Sequence, residues 1–152
     1  MAEQAEAATD TGPRPIVPYL KLEPKPHLIG QQCMTCGAAY ADVNRVACSK
    51  CGSTGSFKTI ELSNHGAIYV FSVIHQSFPG IKTPYVTAII DLPEGVSVRA
   101  SVDGVDPEQA EKEPKRLFNL PVEMFTHVTA KDREGREVIA FSYRPVTPRA
   151  AS

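Results

Sequence analysis

A chain of 152 residues, 42% hydrophobic and 22% charged, has the composition of a globular protein, with room for one ordinary domain or two very small modules and a tail. Its 16 Lys and Arg against 17 Asp and Glu leave a net charge of −1, without the basic excess of a dedicated nucleic-acid binder. The longest apolar run, residues 67–71 (AIYVF), stops at Ser72, far short of the roughly 18 residues that a membrane-spanning helix needs.

The first fifteen residues have neither a basic start nor an apolar stretch, so no secretory signal is expected and the chain is read as cytoplasmic, where structural disulfides are rare. Residues 1–18, with Pro13, Pro15 and Pro18 and little that could enter a core, are expected to form a flexible tail. Residues 19–32 contain Pro24 and Pro26 and are expected to lead in extended form into the next unit.

That unit is defined by four cysteines in two pairs, Cys33-Met34-Thr35-Cys36-Gly37 and Cys48-Ser49-Lys50-Cys51-Gly52, with eleven residues between the pairs. Two residues between thiolates let one tight turn aim both sulfurs at a point, and two such turns close a tetrahedral cage with metal–sulfur distances of about 2.3 Å. Gly37 and Gly52 follow the second cysteine of each pair, where a positive φ lets backbone N–H groups face the sulfurs. Residues 19–58 are therefore read as a lead-in and a rubredoxin-like zinc ribbon, with Cys33, Cys36, Cys48 and Cys51 as ligands of structural Zn2+. Two disulfides, a redox pair and an iron site are the alternatives, and the compartment disfavours the first. A four-sulfur site has no open position for substrate, so the metal acts as a staple for a ribbon too short to fold alone.

Residues 59–146 carry strand signals in regular order, and 147–152 are left as a second tail. Residues 66–75 (GAIYVFSVIH) are apolar on both alternating faces, which predicts a strand covered on each side. Residues 84–92 form a second strand signal, and the Glu94-Gly95 turn leads to a third at 96–102, with Val96, Val98, Ala100 and Val102 on one face. Asp106-Pro107-Glu108-Gln109 reads as a helix start, limited to about two turns by Pro114. Residues 122–131 and 137–143 complete the set, joined through Arg133-Glu134-Gly135-Arg136. The predicted fold is mainly β: a zinc ribbon followed by a five-stranded OB-type Greek-key barrel with one short helix, a β-sandwich being the alternative.

Chemistry has few candidates. If four thiols hold metal, no cysteine nucleophile remains, and His75 beside Ser77 lacks the turn that an acyl-transfer serine needs. The acidic residues 103–113 read as a solvated surface. The barrel region holds nine Lys or Arg against twelve Asp or Glu, a net −3, which lacks the positive field needed for single-stranded nucleic acid.

The order of parts carries a resemblance. The paired Cys-x-x-Cys-Gly knuckles run directly into a barrel marked by residues 66–75, by Phe78-Pro79-Gly80 before Pro84-Tyr85-Val86, and by Phe141-Ser142-Tyr143-Arg144-Pro145. Over residues 29–145 this resembles the acyl-CoA-associated zinc-ribbon/OB-fold family, of the "domain of unknown function" type. Its members are small subunits of thiolase-like enzymes, among them acetoacetyl-CoA thiolase assemblies, steroid side-chain aldolases and benzoylsuccinyl-CoA thiolase. The resemblance implies a non-catalytic accessory subunit that docks on a thiolase-fold catalytic subunit in a hetero-oligomer, for instance two of each, near the entrance for acyl-CoA. It implies Cys33, Cys36, Cys48 and Cys51 as metal ligands and places Phe78, Pro79, Gly80 and Tyr85 on a surface facing the partner or the acyl chain. Lys112, Lys115 and Arg116 are further candidates, for CoA phosphates. No nucleic-acid or membrane partner is implied. A nucleic-acid-binding ribbon–barrel module and a standalone CoA-thioester hydrolase are the competing readings.

Overall fold

A computed structural model describes residues 12–146. In chain order these form β1 (Arg14–Pro15), β2 (Leu20–Lys21), β3 (His27–Cys33), β4 (Ala39–Tyr40), β5 (Phe57–Glu61), β6 (His65–Ile74), β7 (Tyr85–Asp91) and β8 (Ser97–Val102). Helix α1 (Pro107–Lys112), a 3-10 turn (Pro114–Arg116), β9 (Pro121–Lys131) and β10 (Glu137–Pro145) follow.

The strand signals fold into a closed barrel. β6 pairs antiparallel with β7 and β7 with β8, β8 meets β10 in parallel at Val102 and Tyr143, and β10 runs antiparallel to β9. β9 then returns to β6 through His65–Glu123, Gly66–Val122 and Ala67–Pro121. Because the last strand finds the first, the sheet closes on itself, which is the expected OB-type barrel rather than a sandwich. α1 follows the third barrel strand, as expected: the Asp106 side chain accepts from the Glu108 N–H at 3.0 Å, Pro107 opens the helix, and Ala110 is its buried anchor.

β8 shows why its residues form a half-buried strand. Val96, just before it, and Val98, Ala100 and Val102 are buried, whereas Ser97 and Arg99 are exposed. β6 departs from expectation. Ile68 faces Ile90 and Val70 faces Ile89, so Tyr69 is one extra residue in the strand. A bulge resets the two-residue alternation. Ile68 is buried and Phe71 and Val73 pack on the core, but Tyr69 and Val70 stand 60% and 43% exposed. The prediction that β6 is covered on both faces is corrected: one of its faces is open.

Part of the expected N-terminal tail lies in the barrel sheet. Arg14 and Pro15 run parallel to Val138 and Ile139, and the Ile16 N–H donates to the Ile139 carbonyl at 2.8 Å. The remainder of the expected tails, residues 1–11 and 147–152, lies outside the described residues. The expected boundary at residue 58 falls inside β5, which pairs with β3 of the ribbon; the barrel strands that follow the ribbon begin at His65.

Ribbon and barrel share a core. Leu20, Leu28 and Leu62 from the ribbon side join Ile68, Val86, Ile90, Val98, Val122 and Tyr143 in one buried cluster. At the junction the Leu62 N–H donates to the Leu28 carbonyl, and Ser63 donates from N and Oγ to Glu94 Oε1 at 2.8 and 2.5 Å. The Asn64 amide reaches the Pro26 carbonyl at 3.1 Å. At Gly66 a Cβ would lie 2.4 Å from the Asp91 carbonyl oxygen and 2.8 Å from an Ile90 methyl, so only glycine lets β6 approach the end of β7 this closely.

Candidate metal centre

Each knuckle is built by its own backbone. The Cys33 N–H donates to Ala38 and the Gly37 N–H returns to Cys33; the second knuckle repeats this with Cys48 to Ser53 and Gly52 to Cys48, all at 2.8–2.9 Å. Gly37 and Gly52 both adopt φ 78°, the left-handed conformation that the turn requires. β3 delivers Cys33 at its end, and β5 pairs Phe57 with Cys33, which holds the first knuckle against the ribbon sheet.

The four sulfurs converge. All lie within 4.8 Å of one another, with Cys33–Cys51 at 3.7 Å and Cys36–Cys48 at 3.5 Å. Four ligands at about 2.3 Å from a common centre would stand about 3.8 Å apart at tetrahedral edges, so the spacing fits one metal ion. It is far from the roughly 2.05 Å of a disulfide, and all four cysteines are free. Cys33 and Cys48 are buried, Cys36 is half-buried and Cys51 is exposed, so the cage sits at the ribbon surface with two ligands inside.

The surroundings prepare the thiols for a cation. The Ser53 hydroxyl, 3.3 Å from Cys33 Sγ, is the main cause that brings the Cys33 thiol down to about 7, helped by the Cys36 and Thr35 N–H groups. The Tyr40 hydroxyl, 3.2 Å from Cys48 Sγ, leads the causes that lower Cys48 to about 5, followed by the Cys51 N–H. The Ala38 N–H pulls Cys36 down, but burial and the three neighbouring sulfurs push it up to about 11. The cluster thus favours thiolates at two corners and crowds a third, the arrangement a bound cation relieves.

Tyr40 was not singled out by the sequence. The Ser49 N–H donates to its oxygen at 3.2 Å, and the Arg45 guanidinium lies 3.6 Å over its ring. Arg45 is held in turn by its own N–H to Gln31 Oε1 at 2.7 Å and by a side-chain bond to Ser49 Oγ. A tyrosine on β4, four residues past Cys36, was the only available signal.

The other predicted site residues are placed as follows. Phe78 is 81% exposed in the loop between β6 and β7, Pro79 and Gly80 lie beside it in solvent, and Tyr85 opens β7 half-buried opposite Ile74. α1 stands beside the base of that loop, because His75 Nε2 meets Glu111 Oε1 at 2.6 Å. Lys112 is paired with Glu108 at 2.6 Å and Arg116 with Glu113 at 2.7 Å, whereas Lys115 has no ion-pair partner among the described residues. His75 is therefore engaged by a carboxylate and not by Ser77. A serine–histidine contact does form elsewhere, His127 to Ser142 at 2.9 Å, but Ser142 is buried within β10 where no substrate carbonyl can reach it.

Comparison with known proteins agrees with this architecture. The family described as ChsH2, C-terminal OB-fold domain, matches residues 59–127. A DUF35 domain-containing scaffold protein of Methanocaldococcus jannaschii is 30% identical over 78% of this chain and 82% of its own. Benzoylsuccinyl-CoA thiolase subunit BbsA of Geobacter metallireducens is 37% identical over 64% of this chain and 70% of its own. The solved structure of an Ltp2-ChsH2(DUF35) aldolase superposes with a TM-score of 0.56 at 27% identity, covering 78% of this chain and 84% of that one.

Proposed function

The chain belongs to the DUF35 family, and from that premise we propose that it is a non-catalytic accessory subunit of a thiolase-like, acyl-CoA-processing enzyme. The observation that carries the reading is the closed four-sulfur cluster. Thiolysis needs a free, activated cysteine, and every cysteine of this chain is directed at one centre. The bond-making groups then belong to a thiolase-fold partner, and this chain contributes architecture to a cytoplasmic hetero-oligomer.

Zn2+ is the ion that a four-thiolate tetrahedron with no redox task best suits. Cys33, Cys36, Cys48 and Cys51 would hold it, and it would supply cross-linking rather than Lewis-acid chemistry, because four sulfurs leave no position for a substrate. The loop carrying Phe78, Pro79 and Gly80, with Tyr85 at its end, would border the acyl-CoA entrance. Of the three candidate phosphate contacts, Lys115 alone needs no broken ion pair to serve. A nucleic-acid role finds little support: the barrel's net −3 repels phosphate.

Affinity-tagged chain purified from its native host should bring down a thiolase-fold protein whose acyl-CoA turnover falls when the chain is withdrawn. If the chain elutes alone, and adding it to that enzyme leaves turnover unchanged, the accessory reading fails. Metal analysis should return one zinc per chain; a coloured iron site would replace the zinc assignment.

A further inference from the structure

Among the described residues, nothing packs over the outer face of the first three barrel strands. Val70, Ser72 and Ile74 of β6, Thr87 and Ile89 of β7 and Arg99 of β8 line an open channel of about 250 Å³. The bulge leaves Tyr69 beside it 60% exposed, and the loop that joins β6 to β7 holds Phe78 and Ile81 in solvent at 81% and 50%. Arg99 is the one charged group lining the channel, and it makes no hydrogen bond or ion pair among the described residues.

This combination restricts what can cover the face. The channel is smaller than the roughly 300–1,000 Å³ of ligand pockets and lies open, so it suits a protein surface better than a small molecule. One cation is too few for a nucleic-acid backbone. A second copy meeting the same face about a two-fold axis would bring another Arg99 and no carboxylate, because no acidic residue lines the channel. Of the chain's own ends, residues 1–11 bring Glu3, Glu6 and Asp10 but no large apolar residue besides Met1, and residues 147–152 bring no acidic side chain. A wholly apolar cover would strand the guanidinium without water or a counter-charge, which is strongly unfavourable for a buried ion. The occupant must therefore bring aliphatic side chains and a carboxylate together.

We propose that this face is the docking surface for the catalytic subunit, which engages it through a surface segment whose Asp or Glu pairs with Arg99 while aliphatic neighbours lie against Val70, Ile74 and Ile89. The proposal rests on the accessory-subunit reading and adds the place and chemistry of contact to it. Arg99 and Val70 are exposed, so replacing them leaves the barrel intact.

The test is binding of the full chain to the thiolase-fold subunit recovered with it, measured by calorimetry for wild type, Arg99→Glu, Arg99→Ala, Val70→Asp and the control Val128→Asp on β9. Zinc content and melting temperature certify each variant's fold. Arg99→Glu and Val70→Asp are expected to weaken binding at least tenfold and Arg99→Ala less, with Val128→Asp within twofold of wild type. If wild type binds and the Arg99 and Val70 variants bind equally well, the docking face is overturned and the accessory function stands. If wild type itself does not bind, both fall together.

Discussion

The ribbon and the barrel reach order by different means. In the ribbon, β2 and β4 are two residues each and the tip has almost no apolar interior; four sulfurs bring its turns together. In the barrel, strands of up to eleven residues close around Ile68, Ile90, Val98, Val122 and Tyr143. The barrel draws its folding energy from that core, whereas a segment too small to bury sufficient apolar area would draw it from an ion held by the proposed cage. The two meet where Leu20, Leu28 and Leu62 enter the barrel cluster, so the contrast holds at the tip and blurs at the junction.

The largest effect is expected from Cys48→Ser. Losing one of four ligands forfeits most of a metal-binding energy of about 10–16 kcal/mol, so ribbon amides should lose hydrogen-exchange protection while β6–β10 amides keep theirs. Collapse of protection in both regions would show that the barrel also depends on the metal. Gly66→Ala probes the other side: a Cβ placed 2.4 Å from the Asp91 carbonyl should destabilise the barrel by several kcal/mol, about the size of a severe core lesion, read as a lowered thermal midpoint. Leu28→Ala tests the junction and is expected to cost about 2–5 kcal/mol and lower the melting of ribbon and barrel together.

Tyr40→Phe removes the hydroxyl 3.2 Å from Cys48 Sγ and should speed zinc transfer to a chelator about ten- to a hundredfold, from a loss of about 1.5–3 kcal/mol in a charge-assisted bond, with barrel melting unchanged. At the β9–β10 turn, burial raises the Asp132 carboxyl. The Arg136 N–H and guanidinium, the Arg14 guanidinium and the Glu134 N–H outweigh it and hold the carboxyl at about 2. Its folded value lies below its unfolded value of 3.8, so its contribution is present above about pH 4 and fades as pH falls toward 2. Exchange at the hairpin amides should rise across that window, and Asp132→Asn should flatten the response. Lys112→Ala breaks only an exposed pair on α1 and should change stability by less than about 0.5 kcal/mol.

Much of this architecture is local and legible in the amino-acid order. The repeated Cys-x-x-Cys-Gly spacing specifies a knuckle because two intervening residues and one positive φ suffice to aim two sulfurs. The alternation of residues 96–102 specifies the buried face of β8, and Asp106-Pro107 specifies where α1 begins. The OB-type barrel followed from five strand signals with a helix after the third, and the family resemblance supplied the enzyme context. The bulge at Tyr69 was not legible, since an apolar residue fits either face and register is decided by what β7 offers opposite. The pairing of Lys112 with Glu108 and of Arg116 with Glu113 is, by contrast, local, because both partners lie within one helical turn.

By itself, then, the amino-acid order determined which residues can ligate a metal, where strands and the helix run, and that no thiol is left over for catalysis once the cage forms. Those properties depend on spacing along the chain. Only the tertiary structure decided that Tyr40 reaches Cys48, that Glu94 ties the ribbon to the barrel through Ser63, and that Arg99 finds no ion-pair partner among the described residues on an exposed, largely apolar face. Each of these joins groups brought close by strand pairing and closure, and that proximity is a property of the folded chain.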